Sequence, residues 1–357
     1  MGMMYDLADR PGPAVGQPRF DLNDTERPTP ELDVHRRFHF HEVHLRGGLA
    51  TSYAEAMSDR PDIDLVAAAD RDESRLRAFS ERYGVERVYT DAAAMLREER
   101  LDIVAVATNI GGRADLTCLA VENGAKGIVT EKPMTGTLAD ADRMVKACAD
   151  VDVPLSCGAI TTTHPSFATA SDLLAGGAIG DIVSMETSKP TSQHQNWSYF
   201  LDAAPEWVVG VGDQPRREGG SDEFVGQGMM VAADGVVVHF RTGAPLLRIS
   251  GEKGEMVHDL AHNGWRLWQD VDVPAGVRRV EMPWPGPQTG HYGGIYSLAD
   301  VIDCIEGRLD EPKNSGRRVA VALEVEVALK LSSVRGGARV VLPIKDRSLS
   351  INFEWFR

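Results

Sequence analysis

Strand-like and helix-like segments alternate, with short connections between them, along residues 37–158 of this chain. Short apolar runs such as IDLVAAAD and DIVAVAT are typical of strands that are buried in a parallel sheet. The segments between them have helical periodicity, and DESRLRAFSERY is followed by Gly84, a residue that commonly ends helices. This order predicts an α/β fold with a doubly wound parallel sheet and right-handed crossovers.

The length of 357 residues is enough for two domains. After residue 158 the chain is rich in short strands, including DIVSMETS, EWVVGVG and GQGMMVAA, and two helices follow near 295–306 and 316–332. We therefore predict a Rossmann-type domain at 36–158 and an α+β domain with a large, mainly antiparallel sheet at 159–357. Residues 1–35 are rich in Pro, Gly and Asp, and they predict a disordered or irregular arm.

The composition excludes several classes of partner. The net charge of -15 argues against non-specific binding of nucleic acid, which needs a basic face, and an anionic membrane surface would repel the chain. The four cysteines are widely spaced, and no apolar run is long enough to span a bilayer. His39 and His41 share one face of a predicted strand, but two ligands make a poor metal site. The sequence predicts a soluble cytoplasmic protein without a secretory signal or a metal site.

Polar residues follow three of the predicted parallel strands. They are Asp70 after the second strand, Thr108 with Asn109 after the fourth, and Glu131 with Lys132 after the next. Ligands of doubly wound sheets bind at the carboxyl ends of the strands. These residues are therefore the first candidates for a binding site.

The first strand-to-helix turn is an incomplete dinucleotide-binding loop. In the pattern G-x-G-x-x-G, glycines allow a tight turn and close approach of a pyrophosphate to the helix N-terminus. Glu42, His44 and Gly47 occupy the three positions, and Gly48 follows, so only the last glycine is present. One hypothesis is that the chain before about Arg46 comes from a frame-shifted or mistranslated start, which resequencing of the coding region would test.

Asp70 supplies the better cofactor signal, because it follows Gly47 by about the spacing of the acidic residue that binds the adenosine ribose. A carboxylate at this position disfavours a 2′-phosphate, which favours NAD. Arg71 would instead stack on adenine or pair with the 2′-phosphate of NADP. NAD is slightly favoured, and the structural alternative for Asp70 is the N-cap of the helix that begins near Asp72.

The stretch GIVTEKPMTGTLADADRMV, with Glu131-Lys132-Pro133 at its centre, resembles the glucose–fructose oxidoreductase/inositol dehydrogenase/MocA (Gfo/Idh/MocA) family. Further segments that resemble the family are VAAADRD, DIVAVATN, HPSFATASDLLAGGAIGDIV and SGRRVAVALEVEVALKLSS. Together they are spread along most of the stretch 60–350. The resemblance implies an NAD(P)-dependent oxidoreductase with a Rossmann-type domain and a second, substrate-binding domain.

The resemblance also implies roles for individual residues. Lys132 would lie beside the nicotinamide and the substrate hydroxyl, and an ammonium there can stabilise an alkoxide or, when deprotonated, remove a proton. Glu131 would orient the lysine or the ribose. Thr108 and Asn109 would contact the cofactor. Arg113 stands near a position where the family usually has histidine, and it either contacts a ligand or lies in the first turn of its helix.

Family dehydrogenases usually carry D-x-x-x-H in the second domain, with the histidine as acid/base, and this chain departs from that pattern. Gln193 or His194 falls at the histidine position, and Lys189 or Pro190 stands in place of the aspartate. His194 is therefore a catalytic candidate without its usual carboxylate partner. A surface histidine or one at the start of a helix is the alternative.

Three further residues are candidates for substrate binding. His164 precedes Pro165 in a segment that aligns with a loop near the substrate cleft of the family. His291 and Tyr292 follow the loop WPGPQTG and either enter the cleft or begin a helix.

The leading hypothesis is an NAD(P)-dependent oxidoreductase that interconverts a secondary alcohol and a ketone of a sugar, cyclitol or similar polyol. One alternative is a redox-neutral hydrolase or lyase in which NAD is reduced and reoxidised within each turnover. The other is a non-catalytic sensor or partner-binding protein on the same scaffold.

The resemblance further implies a homodimer or homotetramer that packs through the open sheet of the second domain. The apolar alternation in GVVVHF and PLLRIS fits such a covered face and equally fits the core of the domain itself.

Overall fold

The computed structural model describes residues 53–158, 160–188, 196–213, 222–259, 264–286 and 294–352. The arm predicted at 1–35 and the strand predicted near 37–43 lie outside the described residues. The chain divides into two compact units. The first takes in the described residues of Met1–Thr135, Ala141–Thr163 and His291–Gly316, and the second those of Gly136–Asp140, His164–Gly290 and Arg317–Arg357.

The elements up to residue 163 alternate between helix and strand, as the sequence predicts. In chain order they are α1 (Tyr53–Asp59), β1 (Ala67–Ala69), α2 (Glu73–Tyr83), β2 (Arg87–Tyr89), α3 (Ala92–Glu98), β3 (Ile103–Val106), α4 (Ile110–Glu122), β4 (Gly127–Glu131), α5 (Leu138–Ala149), β5 (Leu155–Gly158) and α6 (Ile160–Thr163). One later helix, α8 (Gly294–Ile305), also belongs to the first unit.

The described strands of the first unit pair in parallel, which confirms the predicted α/β class. β1 pairs with β2, and β4 lies between β3 and β5. Helix α1 packs on both groups, because Ala54 joins the core around Phe79 while Met57 joins the core around Val129 and Leu298. The two groups of strands therefore share one layer of helix packing.

The ends of α2 follow the capping signals of the sequence. Asp72 is the N-cap residue, and its carboxylate accepts hydrogen bonds from the backbone N–H groups of Ser74 and Arg75. Gly84 ends the helix with φ 69°, a left-handed conformation that glycine adopts without steric cost. The capping carboxylate thus belongs to Asp72, and Asp70 lies outside the helix.

The second unit consists of a large sheet with helices. Its further elements are α7 (Pro165–Ala175), β6 (Ile182–Thr187), a 3₁₀ turn (Asn196–Phe200), β7 (Pro205–Val211), β8 (Gln227–Ala232), β9 (Val237–Phe240), β10 (Leu247–Gly251), β11 (Gly254–Asp259), β12 (Gly264–Val273), β13 (Gly276–Met282), α9 (Gly316–Val334) and β14 (Val340–Val341).

The nine strands of this sheet lie in the order β13-β12-β11-β10-β6-β9-β8-β7-β14. Every neighbouring pair is antiparallel except β6 with β9, which run parallel. The predicted large, mainly antiparallel sheet is confirmed. Strands β11, β12 and β13 extend it through residues 254–282, beyond the strands that the sequence predicts.

The apolar alternation in GVVVHF and PLLRIS forms the core of the second unit. Val238 and Phe240 of β9 and Leu247 and Ile249 of β10 are almost completely buried within it. Of the two predicted interpretations of this pattern, the structure shows the core of the unit itself rather than an open face. Any interface with another copy of the chain would have to use other residues.

Among the described helices, none combines the length and the apolar character that crossing a bilayer requires.

Candidate functional site

The carboxyl end of β4 carries the residues that the sequence ranks first. All five residues of Gly127–Glu131 are buried, and Lys132, the next residue, is half-buried. The backbone N–H of Lys132 donates to Glu131 Oε2 at 3.1 Å, and the Lys132–Pro133 peptide bond is cis. The lysine therefore emerges from a fully buried strand of the first unit, at the edge where a parallel sheet binds ligands.

Arg113, in the helix that follows β3, binds the backbone at this end of β4. Its Nη1 donates to the backbone carbonyl of Glu131 at 2.8 Å and also to that of Pro133, while its Nη2 donates to the carbonyl of Thr108. The side chain is only 1% exposed. Of the two sequence interpretations of Arg113, the position in the first turn of its helix is correct, and the guanidinium binds the protein's own backbone.

The charges around this strand end compensate one another. Burial lowers the pKa of Arg113, and the carboxylate of Glu131 opposes that shift. Tyr53 of α1 also contacts the end of β4, because its hydroxyl donates to the carbonyl of Thr130 at 3.1 Å. Burial, and then the nearby Glu131, raise the pKa of Tyr53 well above its usual value. The arginine, the carboxylate and the neutral phenol thus form one buried polar network beneath Lys132.

The end of β3 presents a second group of candidate residues. Asn109 is exposed and occupies the N-cap of α4, but its side chain makes no capping hydrogen bond. Thr108 is half-buried, and its hydroxyl donates to the carbonyl of Asn109 at 3.1 Å. A side chain added at Gly111 or Gly112 would meet no atom within 4 Å. The start of α4 is therefore open, with backbone N–H groups and an amide available to a ligand.

The end of β1 presents the carboxylate predicted to bind the ribose. Asp70 is half-buried, and its Oδ1 accepts a hydrogen bond from the backbone N–H of Asp72 at 3.0 Å. Its own backbone N–H donates to the carbonyl of Tyr89 on β2 at 3.1 Å. Arg71, the next residue, is exposed. The carboxylate is thus oriented by the backbone around it while part of it stays accessible.

These residues fit a nicotinamide dinucleotide. A carboxylate after β1 suits ribose hydroxyls, and the start of α4, which follows the strand next to β4, offers backbone N–H groups and an exposed amide to a cofactor. The pyrophosphate-binding candidates Gly47 and Gly48, with Glu42 and His44, lie outside the described residues, so the fit concerns the ribose and the nicotinamide ends.

The remaining sequence candidates are placed differently. His164 belongs to the second unit, is 1% exposed and is the N-cap of α7, where its Nδ1 accepts from the backbone N–H of Ser166 at 3.1 Å. This placement gives it a structural role. His194, His291 and Tyr292 lie outside the described residues. Within the part of the chain that is described, no three side chains of the metal-ligating types form a group that could hold an ion.

Sequence reasoning did not identify Tyr53 as part of this network and left the function of Arg113 open. An isolated tyrosine in a predicted helix carries no signal, because aromatic residues there normally join the core. For Arg113 a signal was available, since an arginine in the first turn of a helix points back toward the preceding strand end.

Comparison with known proteins agrees with this arrangement. Residues 46–159 match GFO_IDH_MocA, an oxidoreductase family with an NAD-binding Rossmann fold. D-apiose dehydrogenase of Paraburkholderia graminis is 39% identical over 134 residues, which are 38% of this chain and 36% of that protein. Myo-inositol 2-dehydrogenase of Thermotoga maritima is 28% identical over 214 residues, 56% of this chain and 64% of that protein. The chain thus aligns with between 36% and 64% of the length of these relatives.

Solved structures with a similar fold match most of the chain. The crystal structure of an NAD binding oxidoreductase from Klebsiella pneumoniae has a TM-score of 0.64 to this chain. It is 16% identical, and the match covers 82% of this chain and 94% of that one. At this identity the likeness shows a common fold and nothing finer.

Proposed function

Since this chain belongs to the Gfo/Idh/MocA oxidoreductase family, we propose that it is an NAD(P)-dependent dehydrogenase that interconverts a CH–OH group and a ketone of a sugar, cyclitol or similar polyol. The observation that carries the proposal is the end of β4, where Lys132 follows five buried residues and lies above the network of Arg113 and Glu131. The names of the relatives, which are dehydrogenases of apiose and of inositol, support the substrate class.

In the proposed reaction, the nicotinamide supplies the acceptor or donor of the hydride. Lys132 places its amino group at the reacting oxygen of the substrate, where an ammonium stabilises a developing alkoxide and a neutral amine removes the hydroxyl proton. Glu131 fixes the backbone of the lysine through its hydrogen bond at 3.1 Å. His194 is the proposed acid/base partner on the sequence pattern alone.

The remaining proposed contacts belong to cofactor and substrate. Gly47 and Gly48 approach the pyrophosphate, Asp70 binds the adenosine ribose, and Thr108 with Asn109 contacts the cofactor near the nicotinamide. For the substrate, the proposal keeps His291 and Tyr292, whereas the burial and capping role of His164 remove the support for a direct contact.

The proposal includes assembly into a homodimer or homotetramer. Exposed valines on one face of β12 and β13 support an intersubunit contact, because Val271 and Val273 are 37% and 36% exposed and Val280, on the edge strand, is 41% exposed. Light scattering on the purified chain measures the assembly, and a monomer at micromolar concentration would contradict it.

Binding of the cofactor is the first test. NAD at a concentration about a hundred times its dissociation constant should stabilise the folded chain by roughly 2.7 kcal/mol and raise the melting temperature by several degrees. We expect a larger shift with NAD than with NADP at equal concentration. Formation of NADH, followed by absorbance during a screen of polyols, then tests the reaction. No shift with either cofactor would contradict the dehydrogenase and leave a sensor or partner-binding function on the same scaffold.

The preference for NAD should depend on Asp70. We expect Asp70→Asn to raise the dissociation constant of NAD about tenfold, because a hydrogen-bonded charged acceptor is worth about 1.5 kcal/mol more than an uncharged one. The same change should improve the binding of NADP, since it removes a negative charge beside the 2′-phosphate.

The matched control is Asp72→Asn, two residues away. Asparagine also caps helices, so α2 keeps its N-cap while the charge is lost. Titration calorimetry with both cofactors measures the effect. If Asp72→Asn changes the ratio of the two dissociation constants as strongly as Asp70→Asn does, Asp70 does not bind the ribose.

A further inference from the structure

We propose that Arg113 is the positioning residue of the active centre: its buried guanidinium fixes the backbone on both sides of Lys132 and so sets where the lysine amino group lies. The inference rests on the proposed function of Lys132. It assigns to Arg113 a role in the reaction through another residue, without contact to substrate or cofactor.

The position of Arg113 in its helix makes this contact possible. Side chains of an α-helix tilt toward the N-terminus, so a residue in the first turn covers the point where the chain enters the helix. Arg113 lies in the first turn of α4, which begins at Ile110, directly after the end of β3. Its guanidinium therefore reaches back to the edge of the sheet and lies between the ends of β3 and β4.

The acceptors of Arg113 lie on both sides of Lys132 and on the neighbouring strand end. The carbonyls of Glu131 and Pro133 belong to the residues immediately before and after Lys132, and both bind the same nitrogen, Nη1. The other terminal nitrogen binds the carbonyl of Thr108 on the neighbouring strand end. A planar guanidinium with a rigid fork of donors fixes these three carbonyls relative to one another, which the single flexible ammonium of a lysine would do poorly.

The energetic cost of burying the Arg113 guanidinium also supports a positioning role. Arg113 is 1% exposed, and removing a charged group from water is strongly unfavourable unless other groups compensate it. The carboxylate of Glu131 opposes only part of the effect of burial, because the pKa of Arg113 remains lowered. Apolar side chains could pack the same space at lower cost. The arginine instead fixes the one backbone segment that carries the proposed reactive lysine.

The first experiment compares three variants of the full chain. We expect Arg113→Met to lower kcat about thirtyfold and to leave the KM for the cofactor within about threefold, because the lysine is displaced while the ribose site is intact. Arg113→Lys should recover part of the loss. Arg143→Met is the control, since Arg143 is an exposed arginine whose ion pair with Asp115 on the same helix α4 should be dispensable.

A double-mutant cycle with Lys132→Met separates positioning from a general structural effect. If Arg113 acts through Lys132, its replacement should cost less than about twofold in kcat once the lysine is gone. If the two losses multiply, Arg113 acts independently of Lys132, and the inference is wrong.

A measurement that does not depend on enzyme activity tests the positioning role of Arg113 separately from the proposed dehydrogenase function. Acylation of lysines by acetic anhydride, followed by peptide mass spectrometry, reports the accessibility of the Lys132 amine in the full chain without cofactor. We expect Arg113→Met to raise the acylation rate of Lys132 at least threefold relative to exposed Lys146 in the same molecule. An inactive wild-type chain that shows this change would refute the proposed dehydrogenase and retain the positioning role. An unchanged ratio would refute the positioning role, whatever the activity of the wild type.

Discussion

Replacement of Lys132 by methionine is expected to lower kcat by about a thousandfold, the largest effect of any single substitution in this chain. Methionine has nearly the length of the lysine side chain but carries no charge and donates no proton. The change therefore removes the group that stabilises or deprotonates the reacting oxygen while it preserves much of the packing. The melting temperature should stay within a few degrees of the wild type.

The structure explains why this effect should be confined to catalysis. Lys132 is half-buried, and backbone atoms help to hold its segment, namely its own N–H and the carbonyls of its two neighbours. These contacts persist when the side chain changes. The dissociation constant of NAD, measured by calorimetry, should therefore stay within about threefold, because the ribose carboxylate of Asp70 lies on a different strand end.

Lys126→Met is the matched control. Lys126 lies just before β4, at the opposite end of the same strand, and its exposed side chain pairs with Asp102 at 2.7 Å. Exposed ion pairs contribute about 0–1 kcal/mol to stability, so this variant should keep near wild-type kcat. Equal kcat in Lys132→Met and the wild type would show that the lysine takes no part in the reaction.

The site residues that could be predicted from the sequence are those that directly follow a recognisable strand. Asp70, Asn109 and Lys132 follow strands whose apolar runs are visible in the sequence, and parallel topology then puts each at a carboxyl end. The structure places these residues at the ends of β1, β3 and β4. Their chemistry is a proposal, but their positions in the fold followed from pattern alone.

The buried network beneath the lysine was harder to predict. Tyr53 and Arg113 act through hydrogen bonds to backbone carbonyls distant in sequence, such as that of Thr130, 77 residues from Tyr53. No periodicity records such a bond. Arginine is also rarely buried, so the residue type alone predicts that the side chain of Arg113 is exposed to solvent.

In the second unit, too, some strands could be predicted from the sequence and others could not. Strands β6 to β10 were visible because apolar residues alternate along them, and helices α8 and α9 have clear helical periodicity. β13 was missed because it lies at the edge of the sheet and its residues, such as Arg278 and Arg279, are exposed. A strand without a buried face has no alternation to detect.

Folding stability should fall as the pH is lowered from 6.5 toward 4, and His258 should account for a large part of that fall. This histidine lies on β11, is 1% exposed, and packs against the rings of Phe167 and Trp265 at centroid distances of 5.2 and 5.0 Å. Burial lowers its pKa to about 4, nearby His164 adds to the effect, and Asp259 opposes it.

The sign follows from the protons bound by each state. The unfolded histidine has a pKa of about 6.5, so between pH 6.5 and 4 the unfolded chain binds a proton that the folded chain does not. Unfolding is thereby favoured as the pH falls. The contribution of His258 is fully present above pH 6.5, declines by about 2 kcal/mol at pH 5, and levels off below pH 4 after a loss of about 3 kcal/mol.

His258→Phe tests this expectation, because phenylalanine suits the aromatic cluster and does not titrate. Urea unfolding at pH 7.5 and at pH 5, followed by tryptophan fluorescence, gives the loss of stability for each protein. Carboxylates also titrate in this range, so the relevant quantity is the difference between wild type and variant. The variant should lose about 2 kcal/mol less than the wild type. The exposed His239→Gln is the control and should lose as much stability as the wild type, because His239 lies outside the buried aromatic cluster. Equal losses in wild type and His258→Phe would mean that the buried ring is already solvated or protonated in the folded unit.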